Sequence, residues 1–439
     1  MRTYIVASIL LFSTGLSAQL VGVSPYSALG LGDPVNGDPS RNFALGGTVA
    51  AAADGYNINI GNPASYAKLK YTNFDLGVMH TEINQQQGDL TIDNGYTNFN
   101  YIVTSFPLYE NLGLVLSIRP HTTRGFKIER DDMLSDDLGL SRSTFQGSGG
   151  INNLTIGTGW SPFKGFAVGL NAHYYFGNNA DFITSDLIDQ QNTVASRREI
   201  ETRISTWQFE TGVQYHHRIG KSLELGIGGV YRIGNTLNQY VTEQLFTILP
   251  SANQALPLDT VFSSVDERTP GQLASVYSAG ISLGKINDER PQQYAWSISA
   301  DFRRTMGSEF DGVVTRGQFT DASRISAGAT VIPALTFESL LRSKRFWNRT
   351  EYRLGLFQDE GHILIDNTNI SALGMSFGVA IPLRIRGLAP GEVRNNMLNF
   401  TVAYGNRGTT ENNLVRERFT QFLIGITLTE KWFDKYKYR

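Results

Sequence analysis

The feature that most constrains this chain is a long alternation of apolar with polar or glycine side chains. In residues 166–176 every second side chain is apolar, and the same pattern returns in 222–233, 294–303, 398–404 and 422–428. A period of two puts alternate side chains on opposite faces of a β-strand. Strands of soluble sandwiches average about six residues, whereas a tilted strand that crosses a bilayer needs about 9–11. The pattern predicts membrane-crossing strands, with a soluble secreted β protein as the alternative.

Fourteen such segments follow residue 71. Open sheet edges cannot be left in hydrocarbon, so the strands must close into a barrel. The connections are mostly short at one end and longer at the other, which is the outer-membrane arrangement. We therefore predict an all-β fold, a 14-stranded antiparallel transmembrane β-barrel over residues 71–433. The predicted strands lie near 71–82, 96–106, 111–127, 144–160, 165–178, 197–217, 221–241, 271–285, 292–304, 322–332, 347–358, 370–382, 396–407 and 416–432.

The stretch before the first strand, residues 41–69, has neither a helical stripe nor an alternation long enough for a membrane strand. Glycine, alanine, asparagine and proline dominate it, and they suit a compact irregular segment. An exposed lead-in has little need of so many small apolar residues. We predict that it is a plug, or hatch, in the barrel lumen, with a surface lead-in as the alternative. The plug residues are Gly46, Gly47, Asn62, Pro63 and Ala64.

The two ends of the chain indicate its cellular location. Residues 1–18 combine Arg2, an apolar stretch and small residues up to Ala18, as a signal peptide does. No run of 18 apolar residues follows, so we expect no helical membrane span. Residues 19–70 are predicted to be a periplasmic lead-in and plug, and residues 434–439 a basic periplasmic tail. Together these features predict the outer membrane of a Gram-negative bacterium.

Composition narrows the chemistry. The 439 residues include no cysteine, which excludes disulfides, thiolate metal sites and a cysteine nucleophile. A net charge of -2 argues against a nucleic acid partner. The six histidines form no metal motif, and no nucleophile elbow or P-loop is present. We predict no enzyme activity, no cofactor and no metal. The spacing does not exclude a Ser–His pair on lumen-facing strands, which leaves an outer-membrane hydrolase as an open alternative.

Charged residues on the predicted lumen face have two interpretations. A salt-bridge network that braces the barrel is the one we favour, and a substrate site is the alternative, since buried charges are tolerated when they are paired. The residues are Asp301, Arg303, Arg324, Glu351 and Arg353.

The small-residue stretch that ends in Asn62-Pro63-Ala64, placed just before the first of fourteen strands, resembles the hatch of FadL-type outer-membrane transporters of long-chain fatty acids and aromatic hydrocarbons. The resemblance covers Gln19 to about Phe433. It implies a hatch that fills the lumen, capture of apolar compounds by outer loops, and lateral exit into the bilayer. The chain departs from the family in lacking a terminal aromatic residue. No carboxylate-binding residue is identified, which leaves fatty acid and neutral hydrocarbon both open.

We therefore expect passive uptake of hydrophobic small molecules, with such a ligand and outer-membrane lipids as partners. Contiguous apolar patches on outer loops need a partner, so loops 179–196 and 242–270 are predicted to capture the ligand. Their residues are Phe182, Ile183, Leu187, Leu245, Phe246, Ile248 and Leu249.

The third strand contains Pro120, which has no N–H for the ladder. We expect a break or bulge there and a lateral exit, as in the family's kinked third strand, unless the membrane crossing ends before Pro120. Fourteen-stranded barrels of this kind also serve protein export, so fold alone does not settle function. The alternative function is a structural or accessory barrel of a protein secretion or assembly machine, with a secretion-machinery partner and no small-molecule transport.

Overall fold

The computed structural model describes residues 23–135, 139–188, 194–249, 256–287, 290–312, 318–337, 345–383 and 396–430. The predicted signal peptide, residues 1–18, and the predicted tail, residues 434–439, lie outside these ranges. Among the described residues, none of the helices combines the length and the apolar character needed to cross a membrane.

Nearly all regular structure is β-strand. In chain order the strands are β1 (Asp33–Pro34), β2 (Thr72–Gln87), β3 (Leu90–Tyr109), β4 (Leu112–Ser135), β5 (Gly139–Phe163), β6 (Phe166–Leu187), β7 (Ala195–Ile219), β8 (Leu223–Arg232), β9 (Thr236–Leu249), β10 (Leu256–Gln272), β11 (Val276–Asn287), β12 (Arg290–Thr305), β13 (Gln318–Phe319), β14 (Ala322–Val331), β15 (Glu351–Asp359), β16 (Ile363–Ile365), β17 (Thr368–Asn369), β18 (Ala372–Pro382), β19 (Met397–Arg407) and β20 (Arg416–Glu430). In the described ranges, three short α-helices are α1 (Ser40–Ala44), α2 (Pro333–Phe337) and α3 (Phe346–Arg349), and 3-10 turns lie at Pro25–Ala28, Pro63–Lys68, Gly307–Glu309 and Glu411–Asn413.

Fourteen strands close into an antiparallel barrel, as the sequence predicts. The ring runs from β2 to β8 and continues through β11, β12, β14, β15, β18, β19 and β20. The last strand pairs with the first from Thr72↔Glu430 to Gln86↔Arg416. Burial alternates along the strands, with Ile156 and Leu170 exposed and Asn153 and Thr155 buried. The apolar side chains thus face outward to lipid, and the polar ones face the lumen.

One predicted loop is a strand pair. The predicted seventh strand, 221–241, ends at Arg232 as β8, and the predicted loop 242–270 belongs to a hairpin of β9 and β10. The cause is the length of β7, which has 25 residues. Its inner half pairs with β8, while its outer half, from Ala195 to Ile204, is left with an open edge that β9 fills. Residues 233–235 connect β8, which pairs with the inner half of β7, to β9, which pairs with the outer half.

The outer end of the barrel is therefore uneven. The ladders of β4 with β5, β5 with β6, and β6 with β7 continue to the tips of these strands, and β9 and β10 extend the same sheet. We call this six-stranded extension the outer sheet. The predicted loop 179–196 lies largely within it, because β6 reaches Leu187 and β7 starts at Ala195.

The wall has a seam between β3 and β4. These strands pair only from Ile102↔Ile118 to Tyr109↔Leu112, near the end with short connections. Beyond Ile118, β4 pairs with β5 on one side, while β1 occupies its other edge through Asp33↔Thr123 and Pro34↔Thr122. Val35 continues this contact by donating its N–H to the carbonyl of His121 at 3.0 Å. The chain's own N-terminal residues thus pair along the seam.

Candidate functional site: the N-terminal segment and the lumen cavity

The N-terminal segment, residues 23–71, packs on the inward-facing side of the wall. Its apolar side chains form one buried cluster with side chains of β2, β3, β4, β19 and β20. The cluster contains Phe43, Ile58, Ile60, Tyr66, Leu69, Met79, Tyr101, Val103, Val115, Ala403 and Leu423. The largest buried core of this protein therefore lies inside the barrel.

The predicted plug residues shape this segment. Gly46 has a φ of +69°, and a Cβ there would lie 2.6 Å from the carbonyl oxygen of Leu356, so only glycine fits. Asn62 caps the turn Pro63–Lys68, because its side-chain oxygen accepts the N–H of Ala64 at 3.0 Å. The amide nitrogen of Asn62 also donates to the carbonyl of Ala50 at 2.6 Å. These contacts fold the segment compactly; its action as a plug stays a prediction.

Wall glycines let the segment approach the sheet closely. A Cβ on Gly159 would lie 2.3 Å from the carbonyl oxygen of Pro63, and one on Gly169 would lie 2.2 Å from the Pro63 carbonyl carbon. Side chains at these positions would push the turn Pro63–Lys68 away from the wall. The glycines on the inward face of β5 and β6 therefore make room for the segment.

The predicted charge network holds the segment as well as the wall. Asp301 accepts the backbone N–H groups of Val49 and Ala50, at 2.5 and 2.7 Å. Glu351 contacts Arg353 at 3.0 Å and Arg41 of the segment at 3.3 Å. Carboxylates of two wall strands thus anchor the segment, which the sequence pattern alone did not indicate.

Further charge contacts join the segment to the wall. Lys68 lies 2.6 Å from Glu224 of β8, while a second pair, Arg41 with Asp54 at 3.3 Å, lies within the segment itself. Arg324 of β14 donates to the carbonyl of Gly46 at 3.1 Å. Buried charges that are paired and hydrogen-bonded in this way are costly to break singly. The segment is held by ion pairs near both of its ends and by backbone contacts between them.

A cavity of about 210 Å³ lies between the segment and the wall, and we call it the lumen cavity. It is walled by strands β2, β3, β4, β14, β15, β16, β18, β19 and β20 and by residues 26, 33–36, 43 and 46 of the segment. Its large apolar lining side chains include Phe43, Met79, Ile83, Phe357, Ile363 and Phe419. A mostly apolar cavity with a few polar groups is the usual form of a small-molecule site.

Both arginines of the lumen cavity are already paired. Arg407 forms ion pairs with Asp33 and, at 2.7 Å, with Glu417. Arg324 lies 3.5 Å from Asp359, and its guanidinium stacks on Phe357 at 4.3 Å. A ligand carboxylate would have to displace one of these protein carboxylates. The cavity is therefore better suited to a neutral molecule than to an anion.

His362 and Tyr26, which also line the cavity, add no charge to it. Burial lowers the pKa of His362, which keeps its ring neutral at neutral pH. Burial, with Glu417 nearby, raises the pKa of Tyr26 to about 12, so its phenol stays protonated. Tyr26 donates that proton to the carbonyl of Val415. Residues 24–28, part of the predicted periplasmic lead-in, lie near Gly125 and Val415, toward the outer end of the lumen.

At Pro120 the ladder is interrupted, as expected from its missing N–H. The register between β4 and β5 shifts between Pro120↔Asn152 and Thr122↔Ile151, which leaves His121 as an extra residue. This bulge lies just beyond Ile118, where the pairing of β4 with β3 ends. The use of this place as a lateral exit stays a prediction.

The predicted capture residues lie on strands of the outer sheet and divide between its two faces. Directly opposite residues in antiparallel strands share a face. Ile183 and Leu245 both lie opposite Arg198, on one face. Phe246 lies opposite Arg197 and Ile248 opposite Ala195, and Phe182 is opposite Glu199, so these three share the other face. The seven residues therefore do not form one surface, because strand alternation separates neighbours.

Sequence reasoning missed the cavity lining. Asp33-Pro34 has the composition of a turn, but it pairs with β4 and contributes an ion pair to the cavity. Arg407, Phe357 and Phe419 come from three different strands, and no local motif joins them. Among the described residues, no group of three or more His, Cys, Asp or Glu side chains could hold a metal ion.

Comparison with known proteins gives a family match and several matches of fold. A family model described as BamG matches residues 1–439. No curated protein matches the chain. The toluene transporter TbuX of Ralstonia pickettii is similar in structure, with a TM-score of 0.53 and 13% identity over 89% of this chain and 98% of that one.

Two further solved structures are similar. A FadL homologue of Pseudomonas aeruginosa gives a TM-score of 0.52 and 10% identity, over 90% of this chain and 98% of that one. The toluene transporter TodX of Pseudomonas putida gives a TM-score of 0.51 and 12% identity, over 91% of this chain and 99% of that one. At such low identity these matches show a common fold, that of FadL-type barrels, and not a common substrate.

Proposed function

The chain belongs to the BamG family, and from its FadL-type fold and its lumen cavity we propose that it is an outer-membrane channel for passive uptake of hydrophobic small molecules. Its ligands are captured at the outer strands, held in the lumen cavity and released laterally into the bilayer. The observation that carries the proposal is the lumen cavity itself. The toluene transporters that share the fold are further support.

Size and charge of the cavity favour a small neutral ligand over a long-chain fatty acid. A dry cavity of about 150 Å³ holds one benzene molecule in an engineered protein. The lumen cavity, at about 210 Å³, suits a molecule somewhat larger than benzene. Since Arg324 and Arg407 are already paired with carboxylates, a fatty acid anion would lack a free cation.

The route of release follows from the seam. The ligand leaves the cavity beside Tyr96 of β3 and Thr123 of β4, two strands that no longer pair with each other at this height. The bulge beyond Pro120 bends β4 at the same place. Release requires that residues 33–35 move off the edge of β4, which breaks a short ladder and the ion pair of Asp33 with Arg407.

Filling the cavity tests the proposal. Ala403 is 3% exposed and lines the cavity, so Ala403→Phe should fill it. Binding of radiolabelled toluene and of hexadecanoate to the purified barrel would be measured, with Ala300→Phe, on the lipid-facing side, as the matched control. Toluene should bind to the wild type and the control but not to Ala403→Phe. Absence of binding to the wild type, or equal binding to all three proteins, overturns the proposal.

A second candidate function is a structural or accessory barrel of a protein secretion or assembly machine, without small-molecule transport. The outer sheet favours it, because conduction through the lumen does not need a sheet that extends far beyond the membrane. Uptake separates the two candidates. A strain that lacks this protein loses toluene uptake if the first is right, and instead loses outer-membrane or surface proteins if the second is right.

A further inference from the structure

Two amide side chains of β3, Asn98 and Asn100, have no hydrogen-bond partner in the described part of the chain. The oxygen and the nitrogen of each amide are buried, and all four atoms are unpaired. Buried polar groups of native proteins are hydrogen-bonded in the large majority of cases, so each exception needs an explanation. Two neighbouring amides without a partner indicate one that comes from outside the chain.

Asn98 lies on the cavity side of β3. It is directly opposite Met79 of β2, and opposite residues of antiparallel strands share a face. Alternate residues of one strand also share a face, which places Tyr96 beside Asn98. Met79 and Tyr96 both line the lumen cavity. Because Asn98 is only half-buried, a rotation of its side chain brings the amide to the cavity.

Asn100 lies at the seam. The register of β2 with β3 shifts between residues 77 and 78, which leaves Asn100 as the extra residue of a bulge. The pairing of β3 with β4 ends two residues away, at Ile102. Asn100 is completely buried, although the preceding Phe99 is 42% exposed. The two amides thus border the gap between β3 and β4 through which we propose that ligand leaves the cavity.

The polar groups on this side of the cavity are uncharged. The lining residues from β2, β3 and β4 are Met79, Thr81, Ile83, Tyr96 and Thr123, while the charged lining residues lie on β14, β15, β19 and β20 and at position 33. An amide donates through its nitrogen and accepts through its oxygen, so it pairs with a hydroxyl in either direction. The β3 side of the cavity therefore suits a neutral hydrogen-bonding group.

We infer that Asn98 and Asn100 form a subsite for the hydroxyl group of an uncharged small molecule whose apolar body occupies the lumen cavity, such as a small aromatic alcohol or phenol. The inference rests on the proposed function and narrows its ligand class. A site that hydrogen-bonds a hydroxyl discriminates strongly against the analogue that lacks it, because the polar groups of the site are then left unpaired.

Toluene and 4-methylphenol are matched probes, because they differ by one hydroxyl that stays protonated at neutral pH. Calorimetric titration would measure both with the purified wild-type barrel and with Asn98→Leu, which removes the amide at similar volume. Asn84→Leu is the control, since the Asn84 amide donates to Asp93 at 2.7 Å in an exposed part of the wall. Asn98→Leu should weaken 4-methylphenol binding by roughly five- to tenfold without weakening toluene binding. The control should change neither.

The ratio of the two affinities decides the outcome. An unchanged ratio in Asn98→Leu overturns the inference, either because both compounds bind more weakly in an altered cavity or because neither is affected and the amides bind only water. The proposed uptake channel survives that result as long as toluene binds to the wild type. If neither compound binds to the wild type, the proposed function fails and the inference fails with it.

A second variant keeps the test decisive if Asn98→Leu does not fold, which unboiled gel mobility would reveal. Asn100→Leu then takes its place in the same titrations, with the same expected loss for 4-methylphenol alone. An equal loss for both compounds, or no loss for either, overturns the inference in this variant as well.

Discussion

Asp301, on the inward face of strand β12, accepts the backbone N–H of Ala50 at 2.7 Å, across a sequence separation of 251 residues. The same carboxylate oxygen accepts the N–H of Val49. One buried side chain thus satisfies two consecutive donors of a segment that has no regular secondary structure at this point. Backbone donors in such a place have no alternative partner in a sheet or a helix.

The first prediction concerns this contact. Asp301→Ala leaves two buried N–H groups unsatisfied, at about 1–3 kcal/mol each. We expect faster hydrogen exchange of the amides of residues 46–53, measured by mass spectrometry, with the barrel strands unchanged. Asp93→Ala, on the exposed outer part of β3, is the control and should leave that exchange unaltered. Unchanged exchange in Asp301→Ala would show that the segment is held elsewhere.

Removing the segment should open the lumen. Deletion of residues 41–66 takes away the central part of the buried cluster and both anchors, Arg41 and the Val49–Ala50 backbone. We expect a barrel that still inserts but conducts small ions, which planar-bilayer recording would detect as a stepwise current. A deletion mutant that fails to insert would mean that the segment is part of the wall and not a plug.

The closed ladder should resist detergent. Fourteen strands without a free edge keep their hydrogen bonds in dodecyl sulfate until the sample is heated, so the unboiled protein should migrate faster than the boiled one. Gel electrophoresis of paired samples is the measurement. Identical mobility before and after boiling would contradict a stable closed barrel.

The capture residues now give a test that separates the two faces of the outer sheet. Ile183→Asp with Leu245→Asp charges one face, and Phe182→Asp with Phe246→Asp charges the other. If ligand is captured on one face, only one double variant should weaken toluene binding, by a factor of about ten or more for two lost apolar contacts. Calorimetric titration gives the comparison. If both double variants bind toluene as tightly as the wild type does, the outer sheet takes no part in ligand capture.

Pro120 provides the test of lateral release. Pro120→Val restores an N–H and removes the constraint on φ, which should reduce the bulge at His121 and tighten the seam. We expect slower toluene uptake by cells, while toluene binding to the purified barrel and the heat shift persist. Wild-type uptake in a variant whose β4 has become regular would reject the seam as the exit.

The sequence predicted the number of barrel strands because each strand carries its own signal. The alternation over 166–176 arises from lipid on one face of β6 and the lumen on the other, and both conditions act locally. The same alternation could not show where the membrane ends, since β7 continues it well beyond Trp207. Residues 242–270 therefore resembled a loop with apolar groups, although they belong to a hairpin.

The cavity could not be predicted for a different reason. Asp33 and Arg407 meet across 374 residues, and neither belongs to a motif. Asp33-Pro34 has the composition of a turn, yet it pairs with β4 because β3 has left that edge free. Only the three-dimensional arrangement shows that such an edge exists. The small-residue pattern of residues 41–69, in contrast, predicts a compact irregular segment, and these residues pack closely against the wall. Their action as a plug stays a prediction.

The position of the first described residues has a consequence for biogenesis. Ser24 contacts Arg407 and Tyr26 contacts Val415, over 383 and 389 residues, while β2 and β20 close the ring around them. A segment surrounded in this way, and tied by ion pairs along its length, is not readily threaded into a finished cylinder. It must be in place before β20 meets β2, so the two ends of the wall have to be kept apart until then. Contacts so distant in sequence form slowly, and the ring closure that traps the segment is therefore expected to be the last step of insertion.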